Sequence, residues 1–278
     1  MKQDTIIKKK ILQALREDIG KEDVTTFATI PESTVLYGEF LAKESGVISG
    51  LDIAESTFRS LNKKIEFKSI VKNGSLIKKD QIIATIKGNG RTLLMGERTA
   101  LNFLQRMSGI ATTTKDYVEA VKNTKAIILD TRKTVPGLRI FDKQAVRDGG
   151  GKNHRFGLFD MFLIKDNHIA ATGSITKSIE AARKCNAKLL IEVEVKNHNE
   201  LKEALMQKPD RIMLDNMNIE QIRNAVKFVA GKIPLEVSGG VNLTTVSEIA
   251  KTGVDYISVG ALTHSVKALD ISLEIKNI

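Results

Sequence analysis

The chain has 278 residues and a formal net charge of +10, with 42% hydrophobic and 27% charged residues. This length suits one large or two ordinary domains, and the composition allows a sizeable core. The sequence contains no apolar run near the roughly 20 residues of a membrane span and shows no secretory signal. Cys185 is the only cysteine, which excludes an intrachain disulfide or a cysteine-built zinc site and predicts a cytoplasmic protein.

The positive charge indicates anionic partners without saying which kind. Nucleic-acid binders usually concentrate cations on one patch with aromatic side chains between them. Here aromatic residues make up 5%, tryptophan is absent, and the cations are spread along the chain. Small polyanionic metabolites therefore explain the charge at least as well. A non-enzymatic nucleic-acid binder stays open as an alternative, with steeply salt-dependent binding as its signature.

The first third of the chain predicts an α+β unit. Apolar residues at three-to-four spacing predict a helix over 4–19, and a strand follows over 35–42. A helix is predicted over 50–61, and short strands over 64–88. A long helical pattern over 96–122 is predicted to be two helices that break near Ser108 and Gly109.

Beyond residue 125, apolar β-rich runs alternate with helix-like segments. The runs occur at 126–130, 161–165, 189–195, 211–215, 234–238 and 256–260. The last four start roughly 22 residues apart, a spacing typical of βα units with a parallel sheet covered on both faces. The fold class is therefore α/β. We expect an incomplete β/α barrel of six or seven strands, the seventh near residues 140–150.

Each apolar run ends in a polar or glycine cluster. The clusters are Asp130-Thr131-Arg132-Lys133, Lys165-Asp166-Asn167-His168, Glu192 with Glu194, Asp215-Asn216, Ser238-Gly239-Gly240 and Gly260-Ala261. Parallel β/α barrels build their active sites at the carboxyl ends of their strands. The pattern thus predicts an enzyme with its site at that end of the sheet.

The clusters change in character along the chain. The cations are Arg132, Lys133, Arg139, His154, Arg155 and Lys165. The middle runs supply carboxylates, and the last two supply small residues that let backbone N–H groups approach a phosphate. We therefore expect three subsites: one for a multiply anionic group, one for a hydroxylated or cationic centre, and one for a phosphate.

The two glutamates of the third run, 189–195, lie two residues apart and so share one face of a strand. Buried carboxylates need nearby cations or a metal ion. The sequence does not decide between Glu192 and Glu194 as the working carboxylate, although Glu194 lies nearer the strand's end. Two interpretations of Asp130 stay open, a residue of the site and a structural partner of a neighbouring arginine. Lys152 is predicted to lie on the solvated surface.

Several motifs together resemble one known family. They are ERTALNFLQRMSGIAT, DTRKTVPGLR, GGGKNHRFGL, LIKDNH, IEVEV, LDN, SGG and GVDYISVGALTHS. In this order they are similar to the nicotinate-nucleotide pyrophosphorylases, or quinolinate phosphoribosyltransferases, which are type II phosphoribosyltransferases. The match runs from about residue 10 to the C-terminus. Val135 and Gln144 depart from the family pattern, and neither position is one of the charged site residues.

The resemblance implies an N-terminal α/β sandwich, residues 1–108, to which residues 268–278 return, and a seven-stranded barrel over 109–267. It also implies a homodimer whose sandwich domains cap the partner's barrel, so that Arg98 reaches the neighbouring site. The implied pentosyltransferase reaction joins quinolinate to phosphoribosyl pyrophosphate and gives nicotinate mononucleotide, pyrophosphate and CO₂ in de novo NAD biosynthesis.

The resemblance also implies roles for individual residues. The expected quinolinate ligands are Arg98, Arg132, Arg155 and Lys165, with His154 beside them. Lys133, with Lys165, would face pyrophosphate, whereas Glu194 and Asp215 would hold the ribose hydroxyls directly or through Mg²⁺ and favour a cationic ribosyl centre. Ser238, Gly239, Gly240, Gly260 and His264 would bind the 5′-phosphate. Thr131 and Ala261 are further expected substrate-binding residues. Mg²⁺ would arrive with phosphoribosyl pyrophosphate, and no tightly bound organic cofactor is expected.

Two enzymatic alternatives remain. A molybdenum-transport-associated ModD-like phosphoribosyltransferase shares the ERTALN and TRKT-type motifs and would act on another nitrogen base. A barrel lyase would instead use Lys165 to form a Schiff base with a carbonyl substrate. Borohydride trapping separates the lyase from the transferases.

Overall fold

The computed structural model describes residues 3–277. The chain forms two compact units. The first unit contains the residues up to Thr113, Val135–Gly150 and the residues from Val266 onwards, and the second contains Thr114–Thr134 and Gly151–Ser265.

The first unit combines helices with antiparallel strands. Its helices are α1 (Gln3–Ile19), α2 (Val24–Thr29), α3 (Leu51–Leu61), most of α4 (Gly90–Val121) and α5 (Arg139–Asp148). Its strands are β1 (Val35–Ala42), β2 (Gly46–Val47), β3 (Glu66–Ser69), β4 (Leu76–Ile77), β5 (Ile82–Asn89) and β12 (Ile271–Asn277). One sheet has the order β12-β1-β5-β3, and β2 pairs with β4.

The main sheet of this unit buries one face. Burial alternates along β1, as expected for a strand with one face in a core. Phe40 on β1 packs edge to face against Phe58 on α3, with their ring centroids 6.2 Å apart. β12 pairs antiparallel with β1, from Leu36 opposite Asn277 to Ala42 opposite Ile271. The predicted helices over 4–19 and 50–61 and the strand over 35–42 are confirmed.

The predicted break at Ser108 and Gly109 is wrong, because α4 is one helix of 32 residues. Both residues serve close packing within that helix. A Cβ on Gly109 would collide with the carbonyl oxygen of Lys267. The Ser108 hydroxyl donates to the carbonyl oxygen of Ser49 at 3.2 Å. The glycine thus allows another segment to approach the helix, which a sequence pattern does not distinguish from a helix end.

The predicted strand near residues 140–150 is also wrong, because this segment is the helix α5. It groups with the first unit, unlike the expected boundary at 109–267. The reason is its packing on α4: the Arg106 guanidinium makes two 2.9 Å hydrogen bonds to the buried Asp142 carboxylate. The rings of Phe103 and Phe141 also pack against each other, tilted by 50° with their centroids 4.8 Å apart.

The second unit is built from parallel strands and covering helices. Its strands are β6 (Ile127–Leu129), β7 (Phe162–Ile164), β8 (Ile191–Val195), β9 (Arg211–Asp215), β10 (Leu235–Ser238) and β11 (Tyr256–Ser258). Its helices are α6 (Asp166–Thr172), α7 (Ile175–Cys185), α8 (His198–Gln207), α9 (Ile219–Val229), α10 (Val246–Lys251) and α11 (Ala261–His264). All six predicted apolar runs are therefore strands.

The parallel sheet has the order β6-β11-β10-β9-β8-β7. Beside β6, where a seventh strand would lie, Lys152 forms an isolated parallel bridge with Leu129. The α/β class is confirmed, with six regular strands in this sheet rather than the seven expected. Every residue of β8 is buried, which fits a sheet covered on both faces.

Side-chain caps fix where the covering helices begin. The Ser174 hydroxyl caps α7, and the side chains of Asn197 and Asn218 cap α8 and α9. Asn197 and Asn218 follow the ends of β8 and β9 within three residues, so these two loops are short, whereas α6 lies between β7 and Ser174. Among the helices over residues 3–277, none is long and apolar enough to cross a membrane.

Candidate active site

A cavity of about 820 Å³ opens at the carboxyl ends of the parallel strands. Its lining includes Thr131, Arg132, Lys133, His154, Arg155, Lys165, Glu194, Asp215, Ser238, Gly239, Gly240, Gly260, Ala261 and His264. These are all the residues expected around the substrates except Arg98, which lies exposed on α4. Arg139, which the sequence groups with the cations of the site, begins α5 and is not among the residues that line this cavity. Residues after both edge strands, β6 and β7, line the same cavity, so the sheet curls around it.

The strand order sets the order of charges around this cavity. Arg132 and Lys133 follow β6, the glycine clusters follow β11 and β10, and the carboxylates follow as Asp215 on β9 and Glu194 on β8. Lys165 after β7 completes the series. A basic sector, a small-residue sector and an acidic sector therefore meet in one cavity.

The loop that carries His154 and Arg155 is anchored by Asp130. This carboxylate is buried and accepts hydrogen bonds from Asn153 Nδ2 at 2.7 Å and from the backbone N–H of His154 at 2.8 Å. Asp130 thus has a structural role, because it orients the loop that carries His154 and Arg155. Lys152 joins the loop to β6 through its backbone, and its side chain is exposed as predicted.

Two guanidinium groups lie together in the basic sector. Burial, and then the charge of Arg132, lower the pKa of Arg155 from its ordinary value. Arg155 Nη1 also donates to the carbonyl oxygen of Met161 at 3.2 Å, which fixes its direction. Neighbouring like charges repel, and a multiply charged anion between them removes that repulsion. The pair is therefore suited to two carboxylates on one small molecule.

The acidic sector consists of Glu194 and Asp215. Lys165 Nζ lies 2.6 Å from Glu194 Oε2, an ion pair between the ends of β7 and β8. The Asp215 carboxylate accepts a hydrogen bond from Asn216 Nδ2 at 3.0 Å. Both carboxylates face the cavity and can bind hydroxyl groups, a cationic carbon or the water shell of Mg²⁺.

The small-residue sector brings backbone and cations together. Gly239 and Gly240 have φ angles of 95° and 63°, which residues other than glycine rarely adopt. A Cβ on Gly260 would lie 3.1 Å from the His264 ring and 3.2 Å from Lys133 Cδ. Lys133 and His264 therefore flank a bare stretch of backbone, an arrangement that suits a phosphate group.

Beneath the cavity lie two fully buried glutamates, Glu192 on β8 and Glu236 on β10. Arg211 Nη1 is 2.7 Å from Glu236 Oε2, and the Ser258 hydroxyl donates to Glu236 Oε1. Burial, and then the charge of Glu192, raise the pKa of Glu236 to about 7. Burial likewise raises the pKa of Glu192, against the opposing charge of Arg211. Near neutral pH this pair therefore holds a proton.

His154 completes the buried group instead of presenting a cation to the cavity. Its Nδ1 accepts the Arg155 backbone N–H at 2.7 Å, and its Nε2 lies 2.9 Å from Glu192 Oε2. Only 6% of the side chain is exposed. Because Nδ1 accepts a hydrogen bond, a neutral ring carries its own proton on Nε2. That nitrogen then has no lone pair for a metal, so His154, Glu192 and Glu236 are poorly suited to a metal ion.

The buried pair predicts a pH-dependent stability. The pKa of Glu236 rises from 4.5 to about 7 in the folded state. The protonated carboxyl therefore makes its full contribution to the free energy of unfolding below pH 4.5, and this contribution is lost as pH rises through about 7. Between these limits the loss is on the order of 3 kcal/mol. In Glu236→Gln this loss disappears, and the free energy of unfolding should fall less between pH 4.5 and about 8. Urea unfolding measured across this pH range tests the prediction, with the exposed Glu220→Gln as control. An equal change of the free energy of unfolding with pH in the wild type and both variants would contradict it.

Further cavity residues were not among the predicted ligands. They are Leu158, Leu163, His168, Met213, Asn216, Val241 and Ser258. His168 and Asn216 stand in the predicted strand-end clusters, and Leu163 and Met213 lie two residues before Lys165 and Asp215. The two-residue period of a strand predicts that such pairs share a face. His168 Nδ1 accepts the Lys165 backbone N–H at 3.0 Å, which holds the start of α6.

Comparisons with known proteins agree along the whole chain. The family profile "Quinolinate phosphoribosyl transferase, C-terminal domain" matches residues 110–274, and its N-terminal counterpart matches residues 23–108. A nicotinate-nucleotide pyrophosphorylase [carboxylating] from Mycobacterium leprae is 45% identical, over 95% of each chain. The mitochondrial quinolinate phosphoribosyltransferase [decarboxylating] 2 of Nicotiana glauca is 44% identical, over 96% of this chain and 82% of its own.

Solved structures give the same result. The nicotinate-nucleotide pyrophosphorylase from Francisella tularensis superposes with a TM-score of 0.93 at 41% identity, covering 99% of this chain and 98% of its own. NadC from Streptococcus pyogenes reaches a TM-score of 0.95 at 42% identity, covering 98% and 97%. With both family domains matched and identities above 40% along nearly the full length, the chain belongs to the quinolinate phosphoribosyltransferase family.

Proposed function

We propose that this enzyme transfers phosphoribosyl from phosphoribosyl pyrophosphate to quinolinate with loss of CO₂, forming nicotinate mononucleotide and pyrophosphate in NAD biosynthesis. The observation that carries the proposal is one cavity that holds a pair of arginines, a pair of carboxylates and two glycine turns. These three sectors match a dicarboxylate, a ribosyl centre and phosphates. Curated relatives bear the same activity in their names.

Quinolinate would bind in the basic sector. Its two adjacent carboxylates suit the neighbouring Arg132 and Arg155, since bidentate guanidinium contacts orient a planar dianion. A monocarboxylate such as nicotinate leaves one guanidinium without an anion and is disfavoured for that reason. Lys165 lies between this sector and Glu194, so it can transfer from its ion pair to a substrate anion.

Phosphoribosyl pyrophosphate would occupy the rest of the cavity. Its 5′-phosphate suits the backbone at Gly239, Gly240 and Gly260, beside His264. Lys133 reaches the same region and would face phosphate oxygens. Glu194 and Asp215 would hold the ribose hydroxyls. Mg²⁺ would bind as part of this substrate, because it prefers phosphate and carboxylate oxygens and would neutralise charge on the leaving pyrophosphate.

The residues account for both chemical stages. As pyrophosphate leaves C1 of the ribose, positive charge develops there, and the carboxylates of Glu194 and Asp215 stabilise it. The ring nitrogen of quinolinate, held in place by the arginines, then bonds to C1. The nitrogen becomes cationic and accepts electron density when the C2–carboxylate bond breaks. CO₂ leaves, and C2 takes a proton from water.

The alternative lyase fits the cavity less well. A Schiff base needs a free amine, whereas Lys165 is engaged with Glu194 at 2.6 Å. A transferase that acts on another nitrogen base would not need two neighbouring arginines in the acceptor sector. The pair Arg132 and Arg155 thus favours a dicarboxylate acceptor over both alternatives.

The assay for this function measures pyrophosphate release with both substrates and Mg²⁺. We expect release that requires quinolinate and Mg²⁺, with nicotinate mononucleotide as the product and little turnover of nicotinate. Absence of release with both substrates present would refute the proposal. Release with another base in place of quinolinate would support the ModD-like alternative.

We further propose a homodimer in which Arg98 completes the partner's site. Its support is the family resemblance together with the exposure of Arg98 on α4, outside the residues that line this chain's cavity. A cytoplasmic location is proposed on the single cysteine, which is exposed on α7 and fits a reducing compartment.

The shared site predicts complementation between two inactive variants. Arg98→Ala and Lys133→Ala homodimers should each be nearly inactive. After subunit exchange, each mixed dimer contains one site with both defects and one with neither, so about a quarter of the wild-type activity should return at equal mixing. Activity after mixing, with exchange confirmed by mass-tagged subunits, measures this. No recovery despite confirmed exchange would contradict a shared site.

A further inference from the structure

Asn216, which follows the carboxylate of β9, has an unusual backbone and two side-chain contacts. Its φ angle is +53°, in the left-handed region that few residues other than glycine adopt. Its backbone N–H donates to the carbonyl oxygen of Ser238 at 2.9 Å, which ties the ends of β9 and β10 together. Asparagine tolerates this backbone better than most residues do. The backbone alone would be served at least as well by glycine.

The side chain of Asn216 links two different sectors of the cavity. Its Nδ2 donates to Asp215 Oδ2 at 3.0 Å and so restricts the rotation of that carboxylate. Its Oδ1 occupies the space that a Cβ on Gly239 would need. The amide thus lies between the acidic sector and the first glycine turn, and it also lines the cavity itself.

We propose that Asn216 is a positioning residue for phosphoribosyl pyrophosphate, because it holds the Asp215 carboxylate and the Gly239 turn at a fixed separation. The inference rests on the proposed function of this cavity. A ribosyl group and its 5′-phosphate are joined covalently, so their two subsites must keep one spacing. A single planar amide in contact with both provides that spacing.

Two substitutions separate this role from a purely structural one. Asn216→Gly keeps the left-handed backbone at no cost and removes both side-chain contacts. Asn216→Asp keeps the shape and tolerates the same backbone, but places an oxygen instead of a donor against Asp215. A residue needed only for its backbone would leave Asn216→Gly as active as the wild type.

The experiment measures KM for each substrate, kcat, quinolinate affinity by calorimetry and the thermal midpoint for each variant. Loss of one hydrogen bond to a charged group predicts a rise of about tenfold or more in the KM for phosphoribosyl pyrophosphate in Asn216→Gly, and a larger rise in Asn216→Asp. Quinolinate affinity should stay within about twofold, because Asn216 does not contact the arginine sector. Intact quinolinate binding also confirms that each variant is folded.

Asn186→Asp is the matched control. Asn186 is exposed at the end of α7, outside the residues that line the cavity, and its Oδ1 accepts the Lys188 backbone N–H at 3.0 Å, a contact that an aspartate can also make. It should match the wild type in both KM values. Wild-type kinetics in Asn216→Gly, or equal losses for both substrates, would overturn the inference while leaving the proposed function intact. A wild-type protein without activity would instead remove the proposed function.

Discussion

Arg132→Ala is expected to raise the KM for quinolinate by about 100-fold or more, since losing one partner of a buried charge contact costs about 3 kcal/mol. The KM for phosphoribosyl pyrophosphate should change by less than about threefold, because its phosphates bind near the glycine turns. The repulsion between Arg132 and Arg155 disappears in the variant, so the remaining guanidinium alone faces the dianion. Initial-rate kinetics with each substrate varied in turn measure the difference.

Arg223→Ala is a suitable control for this experiment, because Arg223 is exposed on α9 and does not line the cavity. It removes the same charge from the protein and should leave both KM values unchanged. Equal increases for the two substrates in Arg132→Ala would contradict the assignment of the basic sector to quinolinate.

Glu194→Gln is expected to lower kcat by about 100- to 1000-fold, as removal of an electrostatic contact to a developing charge does in other enzymes. The substitution keeps the shape of the side chain but removes the negative charge next to the ribosyl carbon. It also releases Lys165 from its ion pair. Quinolinate affinity, measured without the second substrate, should therefore stay the same or increase. Single-turnover rates with saturating substrates test the effect on kcat.

Glu192→Gln provides the informative comparison for Glu194→Gln. The two side chains lie on the same face of β8, but Glu192 is fully buried beside His154 and Glu236, whereas Glu194 lines the cavity. Glu192→Gln should change the stability more than kcat. A larger loss of kcat in Glu192→Gln than in Glu194→Gln would contradict the choice of Glu194 as the working carboxylate.

The strand ends show how much of the site the sequence predicts. Parallel strands of a β/α fold bring their carboxyl ends together, so the residues that follow each apolar run can be assigned to one site without knowing any distance. Lys165, Glu194, Asp215 and Gly239 were placed in this way, and all of them line the cavity. The rule works because it depends only on the parallel arrangement of the strands, and the regular spacing of the apolar runs predicts that arrangement.

Contacts between distant segments lie beyond that rule. Gly109 resembles a helix break, but the structure uses it for close approach to the chain at Lys267. The sequence predicts a seventh strand near residues 140–150, but the buried ion pair of Asp142 with Arg106 holds this segment as a helix on α4. Neither partner is near its contact in sequence, so no local pattern indicates the pair.

The buried acids illustrate the same limit within the site. Glu236 lies in an apolar run, and nothing local shows that it meets Glu192, Arg211 and Ser258 across three strands. His154 was expected to present a positive charge to quinolinate, whereas its ring nitrogens are directed to the Arg155 backbone and to the buried acids. The residue types of Glu236 and His154 predict a polar role for each, but only the register of the sheet determines which groups they contact.

A crystal structure with quinolinate, Mg²⁺ and an unreactive analogue of phosphoribosyl pyrophosphate would show which sector of the cavity binds each substrate group. We expect both quinolinate carboxylates to lie between Arg132 and Arg155, the ribose hydroxyls at Glu194 and Asp215, and the 5′-phosphate at the glycine turns. Quinolinate bound beside Glu194 and Asp215, or outside this cavity, would contradict the account.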